Sequence, residues 1–194
     1  MSDRNILNME DDIVIFDTSQ EQISAIVDKI IEKTSEEELK IALIDVLGRF
    51  DCFTDNPHLL GKPIRDPEIQ ERFFVWLNEE IRDRLGKVAS AGVKSLDLYN
   101  EMQEDITLPF ILIVIHEIKD MELSKNSEMI KAMLNDDNAG VYFLAFSKES
   151  KEDADLGIDM NMFKSMSYSD FERLISGSSP TGGDVETTTE TEEK

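Results

Sequence analysis

The polar pair His116 and Glu117, at the end of the longest apolar run in the chain, is the first place to look for chemistry. Ile111 to Ile115 form an unbroken series of β-branched and large aliphatic residues. That is the pattern of a strand buried on both faces of a parallel sheet, and open α/β sheets place ligands beyond the carboxyl ends of such strands. Acidic groups in that position suit nucleotide hydrolysis, where they organise Mg²⁺ and activate water while a glycine-rich loop ending in Lys and Ser or Thr wraps the phosphates. The phosphate half has no counterpart, because G-x-x-x-x-G-K-[ST] occurs nowhere in the 194 residues.

Other reactive constellations are thin. His58 and His116 are the only histidines and Cys52 the only cysteine, which makes no zinc spacing. His116 and Glu117 with Asp45 from a neighbouring strand would offer a transition-metal set, but a polar pair at a strand end is the simpler reading, so no metal is assigned. Cys52 with His58 as nucleophile and base lacks a third group or an oxyanion signature, and a lone cysteine reads as a small core residue. Ser19 lacks the flanking glycines of a nucleophile elbow and reads as a helix cap.

The elements that must position these residues alternate. Ile13 to Phe16 is a short apolar strand, followed by DTSQEQ, in which Ser19 and Gln22 make the S-x-x-Q capping box that starts a helix. Ile23, Ile26, Val27, Ile30 and Ile31 recur at helical spacing as far as Thr34. Ser35 with Glu38 repeats the capping pattern over one short turn before a strand within Leu39 to Val46, so that strand, helix and strand make a βαβ unit with parallel strands. A loop with Gly48, Pro57, Gly61 and Pro63 precedes a long helix from Asp66, with Pro67 in its first turn and Gly92 ending it. Ile69, Phe73, Trp76, Leu77, Ile81, Leu85 and Val88 share one broad face of that helix, expected to pack on the sheet. The strand Phe110 to Ile115, a helix around 127–134, a strand Gly140 to Phe146, an edge strand within Met160 to Met166 and a short capped helix from Ser167 complete an α/β pattern.

Length and composition fit one domain, read as 11–176, between a flexible start at 1–10 and a disordered acidic tail at 177–194 that has no apolar periodicity. The formal charge of −22 opposes direct binding to nucleic acid or to anionic lipid; the tail supplies −4 of it, so the globular part is acidic too. Solubility explains this charge, and an acidic face for a basic partner, or mimicry of nucleic acid, is the alternative. The apolar run Pro109 to Ile115 is far below the roughly 20 residues that cross a bilayer. With no secretory signal at the amino terminus, the expectation is a cytoplasmic protein without a membrane anchor.

In order, these segments resemble the motor domain of the FtsK/SpoIIIE DNA translocase family, a RecA-like P-loop ATPase. TSEEELKIALID at 34–45 is similar to the family's lead-in to I-D-P-K, and PHLL at 57–60 to its P-H-L-L. EEIRDRLGKVASAGVKSLDLYNE at 79–101 resembles E-E-M-x-x-R-Y-x-x-x-x-x-x-G-V-R-x-I-x-x-Y-N, and LPFILIVIHEIKDM resembles L-P-Y-I-V-V-V-I-D-E-x-A-D-L. GVYFLAFSKES from Gly140 stands where the family has G-I-H-L-V-L-A-T-Q-R-P-S. The resemblance implies a RecA-like three-layer sandwich with a mostly parallel sheet, truncated relative to the family's motor domain, and spans 13 to about 150, less firmly to 176.

The departures fall on the chemistry. Where the family has its phosphate loop, Ile13 to Ser24 hold neither glycine nor lysine, and Asp17 and Glu21 bring negative charge to a helix start that would otherwise favour anions. His116 replaces the Mg²⁺-organising aspartate, Val46 and Leu47 follow Asp45 in place of P-K, and Lys148 replaces the sensor glutamine; Glu117 alone is kept. The vestigial nucleotide site is therefore Asp17, Thr18, Ser19, Asp45, His116, Glu117 and Lys148, with no catalytic residue and no cofactor. The sequence reads as a pseudo-ATPase that works by binding, on an intact motor or by self-association. The alternatives are a divergent ATP-hydrolysing accessory subunit of a DNA translocase and an acidic DNA mimic or sequestering protein.

Overall fold

The computed structural model describes residues 11–103, 107–118, 133, 137–150 and 163–176. A single sheet of five strands, every neighbouring pair parallel, forms its middle layer. In chain order the elements are β1 (Ile13–Ile15), α1 (Gln20–Lys33), β2 (Leu39–Ile44), α2 (Pro67–Ser90), α3 (Leu96–Glu101), β3 (Phe110–Ile115), β4 (Val141–Phe146), β5 (Lys164–Met166) and α4 (Tyr168–Ser176). Across the sheet the order is β2, β3, β4, β1, β5. β1 and β2 thus belong to one sheet, as the βαβ reading requires, but β3 and β4 lie between them.

The two-residue period of the strands sorts the core into two layers. Ile13 and Ile15 of β1, Ile41 of β2, Leu112 and Val114 of β3, and Leu144 and Phe146 of β4 pack with Ile23, Ile26 and Ile30 of α1 and Phe171 of α4. The alternate positions Val14, Ala42, Ile44, Ile111, Ile113, Ile115, Phe143 and Ala145 pack on the other side with Phe74, Leu77 and Ile81 of α2. All six residues of β3 are buried because both of its faces are covered. α1 and α2 lie on opposite faces, as right-handed crossovers must when the chain runs one way along the sheet from β1 to β2 and the other way from β2 to β3.

Local signals set the helix ends. Ser19 and Gln22 form the complete capping box of α1, and the Asp66 carboxylate accepts from the amides of Glu68 and Ile69 to start α2. Gly92 follows α2 with φ of 73°, the left-handed conformation that suits glycine. Two expectations need correction. The buried stripe of α2 is Gln70, Phe74, Leu77, Ile81, Arg84 and Val88, with Phe73 and Leu85 packed partly buried beside it, while Ile69 and Trp76 are 45% and 39% exposed, because the helix is rotated towards Phe74. Cys52 is exposed in a short 3-10 turn, Asp51–Phe53, where Phe53 takes the buried position. The sequence pattern also has no element between Gly92 and the strand at Phe110, where α3 forms. The helix expected around 127–134 lies outside the described residues except for Met133, as do the start at 1–10 and the tail at 177–194. Among the described residues no helix is long and apolar enough to cross a membrane.

Candidate functional site

The connections leaving β1 and β4 run in opposite directions along the sheet, so the carboxyl ends of these adjacent strands form its topological switch point. Asp17, Thr18 and Ser19 follow β1 there, and Ser147 and Lys148 follow β4. His116 and Glu117 end β3 on the far side of β4, and Asp45 ends β2 beyond them. The sheet therefore gathers all seven expected residues along one edge.

The turn between β1 and α1 is fastened to the segment after β4. The Thr18 amide donates to the Ser147 carbonyl at 3.2 Å, the Thr18 hydroxyl donates to the same oxygen at 3.2 Å, and the Asp17 amide donates to the Glu149 carbonyl at 3.4 Å. Ser147 is buried, its amide donates to the Ile15 carbonyl at 2.9 Å, and its hydroxyl accepts from the Glu149 amide at 3.1 Å. The next amides serve the helix cap: Ser19 N–H donates to the Gln22 side chain at 2.8 Å and Gln22 N–H to the Ser19 hydroxyl at 3.3 Å. Asp17 has φ of 54°, a left-handed conformation that costs a non-glycine residue about 1 kcal/mol and that aspartate tolerates better than most. A phosphate loop works through free amides at this turn. Here those of Asp17, Thr18, Ser19 and Gln22 already have acceptors within the chain.

The other half of the edge is buried and similarly knitted. Glu117, 4% exposed, accepts from the Lys148 amide at 3.2 Å, so Lys148 contributes its backbone while its side chain is exposed. His116 is buried edge-on against Phe50, with ring centroids 5.4 Å apart, and its Nε2 meets the Gln20 side-chain oxygen. Asp45 is fully buried; its Oδ2 accepts from the Phe50 amide at 2.7 Å, and its Oδ1 has no hydrogen-bond partner among the described residues. Gln20 also donates to the Arg49 carbonyl and to the Ser24 hydroxyl, tying the start of α1 to the loop after β2. Gln20, Phe50 and Ser147 carry no motif of their own; only their places next to Ser19, after Asp45 and before Lys148 could flag them in the sequence. Among the described residues no group of three or more His, Cys, Asp or Glu is arranged to hold a metal ion. His58 is not paired with Cys52: its ring reaches the Thr34 carbonyl at 3.0 Å and Asn56 at 3.1 Å.

Comparison with known proteins accords with this architecture. The chain is 27% identical over 108 residues to the DNA translocase FtsK of Caldanaerobacter subterraneus subsp. tengcongensis, covering 55% of this chain and 15% of that protein. It is 27% identical over 104 residues to the DNA translocase SftA of Bacillus subtilis, covering 51% of this chain and 11% of that one. The chain is related to the FtsK-type DNA translocases. No family model matches it. This FtsK-related chain also shares its fold with the cytoplasmic domain of the type VII secretion ATPase EccC of Thermomonospora curvata, at a TM-score of 0.66 and 19% identity over 87% of this chain and 22% of that one. It spans 15% or less of the length of the two curated relatives.

Proposed function

We propose that this is a non-catalytic FtsK-like domain that works as a binding or regulatory module, on an intact motor or by self-association. The observation that carries the reading is the fastening of the β1–α1 turn: Asp17 and Thr18 donate their amides to Glu149 and Ser147, and the amides of Ser19 and Gln22 are held by the cap of α1. A triphosphate entering there would have to break these bonds, without a lysine in the turn itself to compensate and beside the carboxylates of Asp17 and Glu21. The residues of the edge do not fit a Mg²⁺-nucleotide. His116 contacts Phe50 and Gln20, and an imidazole is a poor ligand for a hard cation.

The test is a thermal-shift titration of the whole chain with ATP and Mg²⁺ against nucleotide-free buffer of equal ionic strength. A bound nucleotide at about 100 times its Kd would stabilise the fold by roughly 2.7 kcal/mol, a rise of several degrees. The reading expects no shift up to millimolar ATP. A saturable, Mg²⁺-dependent rise would overturn it in favour of a divergent hydrolase.

A further inference from the structure

Six of the eight large hydrophobic side chains exposed among the described residues fall in one stretch of chain: Val46, Leu47, Leu60, Ile69, Val75 and Trp76. β2 is an edge strand, and residues 58–64 run along its outer side as a strap. The Ile41 amide donates to the His58 carbonyl at 2.8 Å, Leu60 N–H to the Ile41 carbonyl at 2.9 Å, and Ile64 N–H to the Leu43 carbonyl at 2.8 Å. Between this strap and α2 lies a cleft of about 240 Å³, walled by Leu60, Ile64, Phe73 and Trp76, with Lys62 as its charged residue. The rings of Phe73 and Trp76 are in contact, their centroids 5.6 Å apart. A tryptophan left partly open in an apolar cleft has the composition of an interaction hot spot.

The local charge differs from that of the whole. Acids outnumber bases 42 to 20 in the chain, yet residues 46–65 carry Arg49, Lys62 and Arg65 against Asp51 and Asp55. Lys62 is exposed and forms no ion pair or hydrogen bond among the described residues, in a chain where acids are twice as common as bases. Of the acids that follow, Asp66 is held by the cap of α2. Glu71, two residues before Phe73, projects from the opposite side of the helix.

We propose that this cleft docks a segment of another protein that inserts one large aliphatic or aromatic side chain between Leu60 and Trp76 and sets an acidic residue beside Lys62. The inference rests on the reading of the chain as a binding module and locates its contact away from the switch-point edge. The apolar walls supply the anchor, and the unpaired ammonium supplies orientation.

Trp76 is the only tryptophan, so its fluorescence reports occupancy directly. The full chain is titrated, without nucleotide, with three hexapeptides that share a Leu-Phe centre and differ in flanks of glutamate, serine or lysine. The glutamate peptide should give a saturable change and bind most tightly. Lys62→Glu should weaken it roughly tenfold, while Lys62→Arg retains it. Leu60→Asp, a second exposed position, should abolish it with the melting temperature unchanged. Equal or tighter binding of the lysine peptide, indifference to Lys62→Glu, or a flat response to all three peptides overturns the proposal. So does the same fluorescence change on raising protein concentration alone, which would make a second copy the occupant. Because nucleotide is absent, an ATP-induced thermal shift would refute the non-catalytic reading without touching this result.

Discussion

Removing Arg84 should be among the most damaging single changes in the molecule. Arg84 is 2% exposed, on the buried face of α2, and joins three parts of the fold. Its Nε donates to Glu80 at 2.7 Å, and its Nη1 donates to the Pro109 carbonyl at 2.7 Å and, more loosely, to the Ala139 carbonyl at 3.4 Å. These carbonyls precede β3 and β4, so one guanidinium fastens α2 to the amino-terminal ends of two central strands. Each hydrogen bond to a charged group contributes about 1.5–3 kcal/mol, and while Glu80, with a side chain 27% exposed, can turn to water when the guanidinium is removed, the Pro109 carbonyl loses its side-chain donor. Arg84→Met keeps most of the side-chain volume and isolates this polar loss, which should be about 3 kcal/mol. For a domain of this size that lowers the melting temperature by about 6–12 °C. Arg84→Lys should recover only part of it, since a single ammonium cannot reach Glu80 and Pro109 in the fork geometry. The assay is urea denaturation followed by circular dichroism, with thermal melts alongside. A loss under about 1 kcal/mol for Arg84→Met, the worth of one ordinary hydrogen bond, would refute the argument that this contact is a buried staple.

Three further outcomes follow from single residues. Ser19→Ala removes the side-chain half of the α1 capping box and should cost about 1 kcal/mol in the same denaturation assay. Gly140→Ala should cost about 2–4 kcal/mol, because φ is 67° there and a Cβ would strike the Leu96 side chain and crowd Phe110. Burial, and then the nearby Glu101, raise the Asp97 carboxyl above its ordinary 3.8, so the folded state holds this proton more tightly than the unfolded chain and stability falls as pH rises through that window. Asp97→Asn should therefore be more stable than the parent at neutral pH, with the gain shrinking as the pH falls towards 3.8, measured by melts across the acid range.

The strands and the two main helices were legible in the sequence because their signals are local: the apolar runs at Ile13 and Ile111, the capping box at Ser19, Asp66 with Pro67, and Gly92. The rotation of α2 was not, because Phe73 and Phe74 are equally apolar and only the sheet decides which one faces inward. The same limit applies to Arg84, whose charge argues for solvent until the carbonyls of Pro109 and Ala139 come within reach. The strand order separating β1 from β2 depends on pairings between residues far apart in sequence. At the switch-point edge, the strand end marked His116 and Glu117, and the resemblance to the FtsK/SpoIIIE family marked Asp17, Thr18, Ser19, Asp45 and Lys148. They did not reveal that backbone bonds to Ser147 and Glu149 hold the turn, because a backbone acceptor leaves no trace in residue identity.

If the turn after β1 is fastened by the chain itself, amide hydrogen exchange at Asp17 and Thr18 is the most direct test of it. Both amides should be protected in nucleotide-free buffer, and that protection should be unchanged by millimolar MgATP. Rapid exchange without nucleotide, slowed when MgATP is added, would show amides free to hold a phosphate and would contradict the fastened turn and the non-catalytic reading built on it.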